Sequence, residues 1–344
     1  MSVVEIENLT KDFQAGFWRK RPVRALDNLT LRVEAGETFG FLGPNGAGKT
    51  TTIKILMNLL KPTSGSARIL GEPADSIRMR RRIGYLPEQP YFYDYLTAEE
   101  LLTYVGRLFR IPRPALGRKI EELLRQVGLS DAARVQLRKF SKGMVQRIGI
   151  AQAIINDPEV VFLDEPMSGL DPFGRRDVRQ IILGLKANGT TVFFSSHILP
   201  DVEAICDRIA ILDRGRLQEA GALHDILKVQ IEGHEIILAG LDPPAAAELS
   251  ASCDEIRPAG DRVYLRAANR AQLESIISLA LSRGAEIVSV TPIRPSLEEH
   301  FFREVGREAA PRGVQSRDRE IADDVADRRA GPDAHARGPE PPDR

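Results

Sequence analysis

The sequence feature that most limits the possible folds is the run G-P-N-G-A-G-K-T at residues 43–50. It matches the pattern G-x-x-x-x-G-K-[ST], with the strand-like run F-G-F-L before it and the helix-like run T-T-I-K-I-L-M-N-L-L after it. The glycines allow backbone N–H groups to turn inward around phosphate groups, where a side chain would block the approach. An ordinary glycine-rich turn before a helix is the alternative, but both flanking runs favour a phosphate-binding loop in an α/β fold. The candidate binding residues are Gly43, Pro44, Asn45, Gly46, Ala47, Gly48, Lys49, Thr50 and Thr51.

Within this pattern Lys49 is placed to meet the β- and γ-phosphates, and the Thr50 hydroxyl is a candidate ligand for Mg²⁺. A second run, V-V-F-L-D-E-P at residues 160–166, supplies two consecutive carboxylates after an apolar strand. Asp164 suits the Mg²⁺ shell, and Glu165 suits a general base that orients and deprotonates an attacking water. By itself this run could be a strand-end turn with solvated acids. Together with the phosphate loop it favours a catalytic pair of carboxylates. The sequence has no Asn-Lys-x-Asp guanine-recognition run, which favours ATP as the nucleotide.

Composition excludes several classes of protein. The chain has 344 residues, and its 48 basic and 48 acidic residues cancel, so no overall positive field favours nucleic acid as a partner. The amino terminus lacks the pattern of a signal peptide, and no apolar run approaches the roughly 20 residues of a membrane-spanning helix. A soluble, cytosolic protein is therefore expected, which reaches a membrane through a partner.

The order of apolar runs predicts three regions. Residues 1–228 alternate strand-like runs, beginning with V-V-E-I-E-N-L, with helical segments, which predicts a largely parallel sheet with hairpin-like strands at its ends. Residues 97–156 are mainly helical and form an insert with a Thr cap at its start. Residues 229–305 have the pattern of a small α+β domain. Residues 306–344 are charged, contain no Phe, Tyr, Trp or Leu, and are expected to be a disordered tail.

The run F-S-K-G-M at residues 140–144 also has the character of an anion-binding corner at the start of a helix. It stands in a fixed order with the phosphate loop, Y-L-P-E-Q, V-V-F-L-D-E-P, S-G-L-D at residues 168–171 and S-S-H at residues 195–197. This order resembles the ATPase subunit of ABC (ATP-binding cassette) transporters over residues 1 to about 225. The resemblance implies a P-loop NTPase cassette: a RecA-like core, an antiparallel β subdomain and a helical insert.

The resemblance also implies roles for residues outside the phosphate loop. Two cassettes pack head to tail in that family, so Ser141 and Gly143 of one chain would cap the nucleotide held by the other, and Asp171 would lie at their interface. Gln89 would sense the metal and the γ-phosphate, and would connect them to the helical insert where a membrane partner docks. His197 would hydrogen-bond the γ-phosphate and the attacking water.

Two positions depart from the family pattern or leave alternatives open. The common family signature is Leu-Ser-Gly-Gly-Gln, whereas Phe140, Lys142 and Met144 stand at three of its five positions here. Phe13 matches the aromatic residue that stacks on adenine, but the following segment is longer than usual, and Phe17 or Trp18 could take that role instead.

The leading hypothesis is an ATP-hydrolysing subunit at the cytoplasmic face of the membrane that energises a separate permease, with a second, identical cassette as partner. The run P-S-L-E-E-H-F at residues 295–301 is similar to an ending found in ABC exporters of the antibiotic-resistance kind, which favours export of a drug, lipid or other small molecule. The alternative is a soluble cassette that acts without a permease in translation or DNA maintenance. A nucleotide-gated regulator with weak turnover is a third hypothesis, which Glu165 and His197 disfavour.

Overall fold

A computed structural model describes residues 1–16, 21–228, 233–240, 249, 253, 255–293 and 296–307. The strands are β1 (Ser2–Ala15), β2 (Arg21–Glu34), β3 (Thr38–Leu42), β4 (Ser64–Ile69), β5 (Glu72–Pro73), β6 (Ile83–Leu86), β7 (Val160–Leu163), β8 (Thr191–Ser196), β9 (Arg208–Asp213), β10 (Arg216–Ala222), β11 (Gly233–Ala239), β12 (Glu255–Ala259), β13 (Arg262–Ala267) and β14 (Glu286–Ile293). The helices are α1 (Lys49–Leu56), α2 (Ile77–Arg80), α3 (Ala98–Leu108), α4 (Arg113–Gln126), α5 (Lys142–Ala153), α6 (Pro172–Ala187), α7 (Leu199–Ile205), α8 (Leu223–Lys228), α9 (Arg270–Ser282) and α10 (Leu297–Arg307).

The central sheet has the strand order β10-β9-β3-β8-β7-β6. Its strands are parallel except for β10, which pairs antiparallel with β9. Every residue of β3, β7 and β8 is buried, as expected for parallel strands that are covered on both faces. The carboxyl ends of these three strands lead into the phosphate loop, the Asp164–Glu165 pair and His197. The sheet therefore brings three separate parts of the sequence to one edge.

A core of phenylalanines holds these strands together. The ring of Phe193 on β8 lies 5.6 Å from Phe39, 5.4 Å from Phe41 and 5.5 Å from Phe162, centroid to centroid. The same core includes Ile53 of α1 and residues of β1 and β2. Because all these side chains are buried, the position of the phosphate loop relative to β7 is set by close packing.

An antiparallel sheet of order β2-β1-β4-β5 packs on this core. The sequence pattern grouped the first run, V-V-E-I-E-N-L, with the parallel strands, and that prediction was wrong. The run lies in β1, which pairs antiparallel with β2 and with β4. Only five residues separate β1 from β2, whereas a parallel neighbour would need a crossover of about a dozen or more residues.

The helical insert contains α3, α4 and α5, and its predicted start is confirmed. The Thr97 hydroxyl accepts a hydrogen bond from the backbone N–H of Glu100 at 3.2 Å, and the Glu100 carboxylate accepts one from the backbone N–H of Thr97 at 2.9 Å. This reciprocal pair is a capping box, which fixes where α3 begins.

Residues 233–293 contain a further antiparallel sheet, of order β12-β13-β11-β14, with its own hydrophobic core. That core includes Ile236, Leu238 and Leu265 of the sheet and Ile276 of α9. Downstream, His300 Nε2 on α10 lies 2.5 Å from Glu219 Oε2 on β10. Most of the expected disordered tail, residues 306–344, lies outside the described residues, and its first two residues belong to α10. Within the described ranges, no helix is both long and apolar enough to cross a bilayer.

Candidate nucleotide-binding site

The phosphate loop depends on glycine at positions where the backbone leaves no room for a side chain. Gly46 and Gly48 have φ values of +83° and +109°, in the region that favours glycine. A Cβ atom on Gly43 would lie 2.4 Å from the carbonyl oxygen of Leu212 on β9. A Cβ atom on Gly48 would lie 2.7 Å from the carbonyl oxygen of Ala25 on β2. The loop therefore packs closely against both β9 and β2, and α1 begins at Lys49, directly after Gly48.

Lys49 lies inside this loop, and its side chain is only 6% exposed. Its ammonium group donates hydrogen bonds to the carbonyl oxygens of Gly43, at 2.7 Å, and Pro44, at 3.3 Å. The same nitrogen lies 3.2 Å from Oε1 of Glu165, and Oε2 of Glu165 lies 2.8 Å from Nδ1 of His197. Three predicted site residues from three loops thus form one contiguous polar cluster.

Asp164 forms a second cluster beside the first. Its Oδ1 accepts hydrogen bonds from the hydroxyls of Thr50, at 3.2 Å, and Ser195, at 2.6 Å. Burial raises the pKa of Asp164, and the hydrogen bonds from Ser195 and Thr50 oppose that effect. Its Oδ2 is buried without a hydrogen-bond partner. A buried, unpaired carboxylate oxygen beside a threonine hydroxyl is an oxygen-donor set that fits a small divalent cation.

The two carboxylates are consecutive, yet they make separate contacts. At Glu165 the chain leaves β7 with a φ of +50°, an unusual value for a residue other than glycine. Backbone strain of this kind costs about 1–3 kcal/mol and is found mostly at functional sites. Because of this turn, Asp164 contacts Thr50 and Glu165 contacts Lys49, the residue before Thr50 on α1.

The clusters open into a cavity of about 460 Å³, a size that suits a small-molecule ligand. Its described lining consists of Ala25, Asn45, Gly46, Ala47, Gly48, Lys49, Thr50, Thr51, Glu88, Glu165, Ser168 and His197. The polar lining and the inward-facing loop fit the phosphate end of a nucleotide. Ala25, Glu88 and Ser168 were not among the predicted site residues.

Five residues predicted for the chain's own nucleotide site are not part of this lining: Gly43, Pro44, Asp164, Gln89 and Phe13. Gln89 is exposed and stands next to Glu88, which does line the cavity. Phe13 is 37% exposed, and its ring centroid lies 5.1 Å from the ammonium group of Lys11. The alternative aromatic residues, Phe17 and Trp18, lie outside the described residues.

The residues expected to face a second chain also lie apart from the described lining. Ser141 caps α5, because its hydroxyl accepts a hydrogen bond from the backbone N–H of Met144 at 3.3 Å. Asp171 caps α6 in the same way, accepting from the N–H of Gly174 at 2.8 Å. The two caps belong to neighbouring segments, since a Cβ atom on Gly143 would lie 3.9 Å from the Leu170 side chain.

Ser195 also contacts the site residues, although the S-S-H run predicted a role only for His197. It is fully buried, donates to Asp164, and accepts a hydrogen bond from the backbone N–H of Glu165 at 2.9 Å. One hydroxyl thus fixes the side chain of one carboxylate and the backbone of the other. A serine inside the otherwise apolar strand T-V-F-F-S-S is the signal that could have identified it.

We expect Ser195→Ala to lower both stability and turnover. The substitution leaves the Glu165 N–H without its buried acceptor, which costs about 1–3 kcal/mol. Chemical denaturation and steady-state ATPase assays measure the two effects, with the exposed Ser130→Ala as the control. Unchanged turnover in Ser195→Ala would contradict a positioning role for this hydroxyl.

Comparison with known proteins places these features in a family. The family model described as ABC transporter matches residues 26–168. An ABC transporter ATP-binding protein of Synechocystis sp. is 46% identical over 306 residues, which cover 88% of this chain and 85% of that protein. The bacitracin transport ATP-binding protein BcrA of Bacillus licheniformis is 36% identical over 291 residues, covering 82% of this chain and 93% of that protein. A solved dimeric ATP-binding cassette, in a post-hydrolysis state with bound ADP and Pi, has a TM-score of 0.59 and 26% identity, covering 64% of this chain and 98% of that chain.

The parallel sheet, the glycine loop and the Lys49–Glu165–His197 cluster, in which Lys49 and Glu165 are buried, define a P-loop nucleoside triphosphatase. The similarity to the ABC transporter ATP-binding protein of Synechocystis sp. extends along most of the chain and identifies the family within that class. This chain belongs to the family of ABC transporter ATP-binding proteins, and it is an ATP-binding and ATP-hydrolysing cassette. The fold class predicted from the motif order is confirmed.

Proposed function

We propose that this protein is the ATPase subunit of an exporter and that it energises a separate membrane permease from the cytoplasmic face of the membrane. The observation that carries the catalytic part of this proposal is the contact of both Lys49 and His197 with the carboxylate of Glu165, which is itself buried. Lys49, Glu165 and His197 line a cavity of suitable size, beside an oxygen-donor set that fits a cation.

In the proposed mechanism the phosphates of ATP lie along the loop of residues 43–51. Lys49 exchanges its contact with Glu165 for the β- and γ-phosphates, which releases one carboxylate oxygen. Glu165 then orients a water against the γ-phosphate and accepts its proton. His197, which contacts the other oxygen of Glu165 at 2.8 Å, holds the γ-phosphate and this water in line.

Thr50 and Asp164 are the residues that would hold Mg²⁺, and Gln89 would join them when the helical insert moves toward the cavity. The cation would neutralise charge on the β- and γ-phosphates. Two hydroxyls already hold Oδ1 of Asp164 and leave its Oδ2 without a partner. We assign Phe13 to the adenine, as the described aromatic residue that matches the family position.

The proposal includes a second copy of the chain. Ser141 and Gly143, at the N-terminus of α5, are suited to a γ-phosphate because the first N–H groups of a helix carry partial positive charge. They are separate from the lining of their own cavity, and Asp171 lies beside them on the neighbouring segment. A head-to-tail homodimer would bring these groups to the nucleotide of the partner chain. The dimeric cassette with ADP and Pi supports a second cassette as the partner.

We propose export as the direction and a drug, lipid or other small molecule as the cargo. Support comes from the similarity to the bacitracin transport protein and from the ending S-L-E-E-H-F, which forms the start of α10. We also propose the division into an ATPase domain (1–228), an accessory α+β domain (229–305) and a tail (306–344). The separate hydrophobic core around Ile276 supports the second of these.

We expect the protein to enter the membrane fraction when it is co-expressed with the membrane protein encoded by the neighbouring gene. Sedimentation of membranes followed by immunoblotting measures this, and an unrelated permease serves as the control. Equal recovery in the soluble fraction with both membrane proteins would contradict the permease partnership and favour a cassette that acts alone.

A further inference from the structure

The side chain of His197 does little to fix the loop that carries it. The imidazole is 43% exposed, so packing does little to hold it against Glu165. Its backbone position must therefore come from the elements on either side, β8 before it and α7 after it. β8 is buried in the central sheet and is fixed by its neighbours. The Ile198 N–H also donates a hydrogen bond to the Ser196 hydroxyl at 2.9 Å, and the far end of the turn depends on the placement of α7.

Helix α7 is attached to the molecule by two different kinds of contact. Its apolar side chains, Leu199, Val202 and Ile205, are buried, and the helix packs against β3. Asp201, in the first turn of α7, is also buried, with 4% of its side chain exposed. Its Oδ1 accepts a hydrogen bond from the guanidinium of Arg179 on α6 at 3.2 Å, and its Oδ2 is buried without a hydrogen-bond partner.

Helix α6 connects this ion pair to the 168–171 segment. Arg175 lies one turn before Arg179 on α6, and its Nε donates a hydrogen bond to the carbonyl oxygen of Leu170 at 3.1 Å. Arg175 also acts electrostatically on Asp201. A charged path therefore runs from the segment that ends in Asp171 to the first turn of the helix that follows His197.

Stability is a weak explanation for this ion pair, in which Asp201 is buried and the Arg179 side chain is 31% exposed. Taking a carboxylate out of water costs free energy that one arginine contact rarely exceeds, and an apolar side chain would usually serve the fold as well. Burial raises the pKa of Asp201, and the charges of Arg179 and Arg175 oppose that rise without reversing it. Such pairs are best explained where they fix one arrangement of two elements.

We propose that Asp201 is a positioning residue for His197: through Arg179 and Arg175 it holds the turn after β8 in register with the 168–171 segment. This inference rests on the proposed role of His197 in hydrolysis. The position of the imidazole would then depend on the 168–171 segment, which faces the second chain in the proposed dimer.

The test compares turnover in single and double variants of the full chain. We expect Asp201→Asn to lower kcat for ATP hydrolysis by about 10- to 100-fold, because small misplacements of a reacting group have effects of that size. KM for ATP should change by less than about threefold, since ATP contacts lie on other residues. Asp201→Glu, which keeps the carboxylate, should recover most of the lost activity.

A double-variant cycle separates positioning from a general structural effect. If Asp201 acts through His197, His197→Ala/Asp201→Asn should turn over ATP at the same rate as His197→Ala alone. Arg179→Gln should cause the same loss of kcat. Because Arg179 is more exposed than Asp201, this variant tests the ion pair even if Asp201→Asn misfolds. Arg176→Gln, an exposed arginine on the same helix, is the matched control.

Two outcomes would overturn the inference alone: wild-type kcat in Asp201→Asn and Arg179→Gln, or a double variant in which the two losses multiply. A wild-type chain without ATPase activity, or a fully active His197→Ala, would instead contradict the proposed function and with it this inference. The melting temperature decides between the remaining explanations. A kcat loss matched by a large fall in melting temperature, in both Asp201→Asn and Arg179→Gln, would assign the pair to stability and overturn the positioning role.

Discussion

Glu165→Gln is expected to leave ATP binding intact and to lower turnover by about 100- to 10,000-fold, the range for loss of a general base. The amide keeps the shape of the carboxylate and a hydrogen-bond acceptor for Lys49, but it cannot take a proton from water. ATP would then stay bound, and the proposed dimer would accumulate. A nucleotide-binding titration, a phosphate-release assay and gel filtration with ATP measure the three effects.

The matched control is Glu203→Gln, which makes the same chemical change at an exposed position on α7. It should leave turnover and elution volume unchanged. Turnover of Glu165→Gln within a factor of two of the wild type would reject Glu165 as the base. Slow turnover without any ATP-dependent change in elution volume would instead contradict the dimer.

Lys49→Ala is expected to weaken ATP binding by roughly 100-fold or more. Two charge-assisted hydrogen bonds to phosphate contribute about 3 kcal/mol or more, and each 1.4 kcal/mol is a factor of ten in Kd. The variant should also unfold more easily, because Glu165, whose side chain is 7% exposed, loses the cation that lies 3.2 Å away. Its contact with His197 limits that loss.

Isothermal titration with ATP and thermal unfolding without nucleotide measure the two consequences of Lys49→Ala separately. Lys54→Ala, on the exposed side of the same helix, is the control. Wild-type affinity in Lys49→Ala would reject the assignment of the phosphate loop. An unchanged melting temperature would show that Glu165 does not depend on this lysine in the free protein.

The central sheet and the phosphate loop could be predicted from sequence because each depends on local patterns. Continuous apolar runs specify buried parallel strands, and glycines at fixed spacing specify the loop. The assignment of the first run to the parallel sheet was wrong for a non-local reason. Which neighbour β1 pairs with is decided by its connection to β2 and by its packing on the core, and neither is visible within the run itself.

The cluster around Glu165 could be predicted only in part. The order of motifs predicted roles for Lys49, Glu165 and His197, but the sequence does not reveal that Lys49 and His197 contact the same carboxylate. Ser195 and Asp201 were missed for a similar reason. Each is a polar residue at a buried position, and its meaning depends on partners 22 or more residues away in the chain.

The position of Ser195 on β8 limits how the site can move. Its hydroxyl touches Asp164 and the backbone of Glu165, and the strand that carries it continues directly into His197. A slide of β8 against β7 would therefore disturb the cation ligand, the base and the imidazole in the same instant. Because these three residues depend on one strand, strain on β8 would weaken cation binding, proton transfer and the contact with the γ-phosphate together.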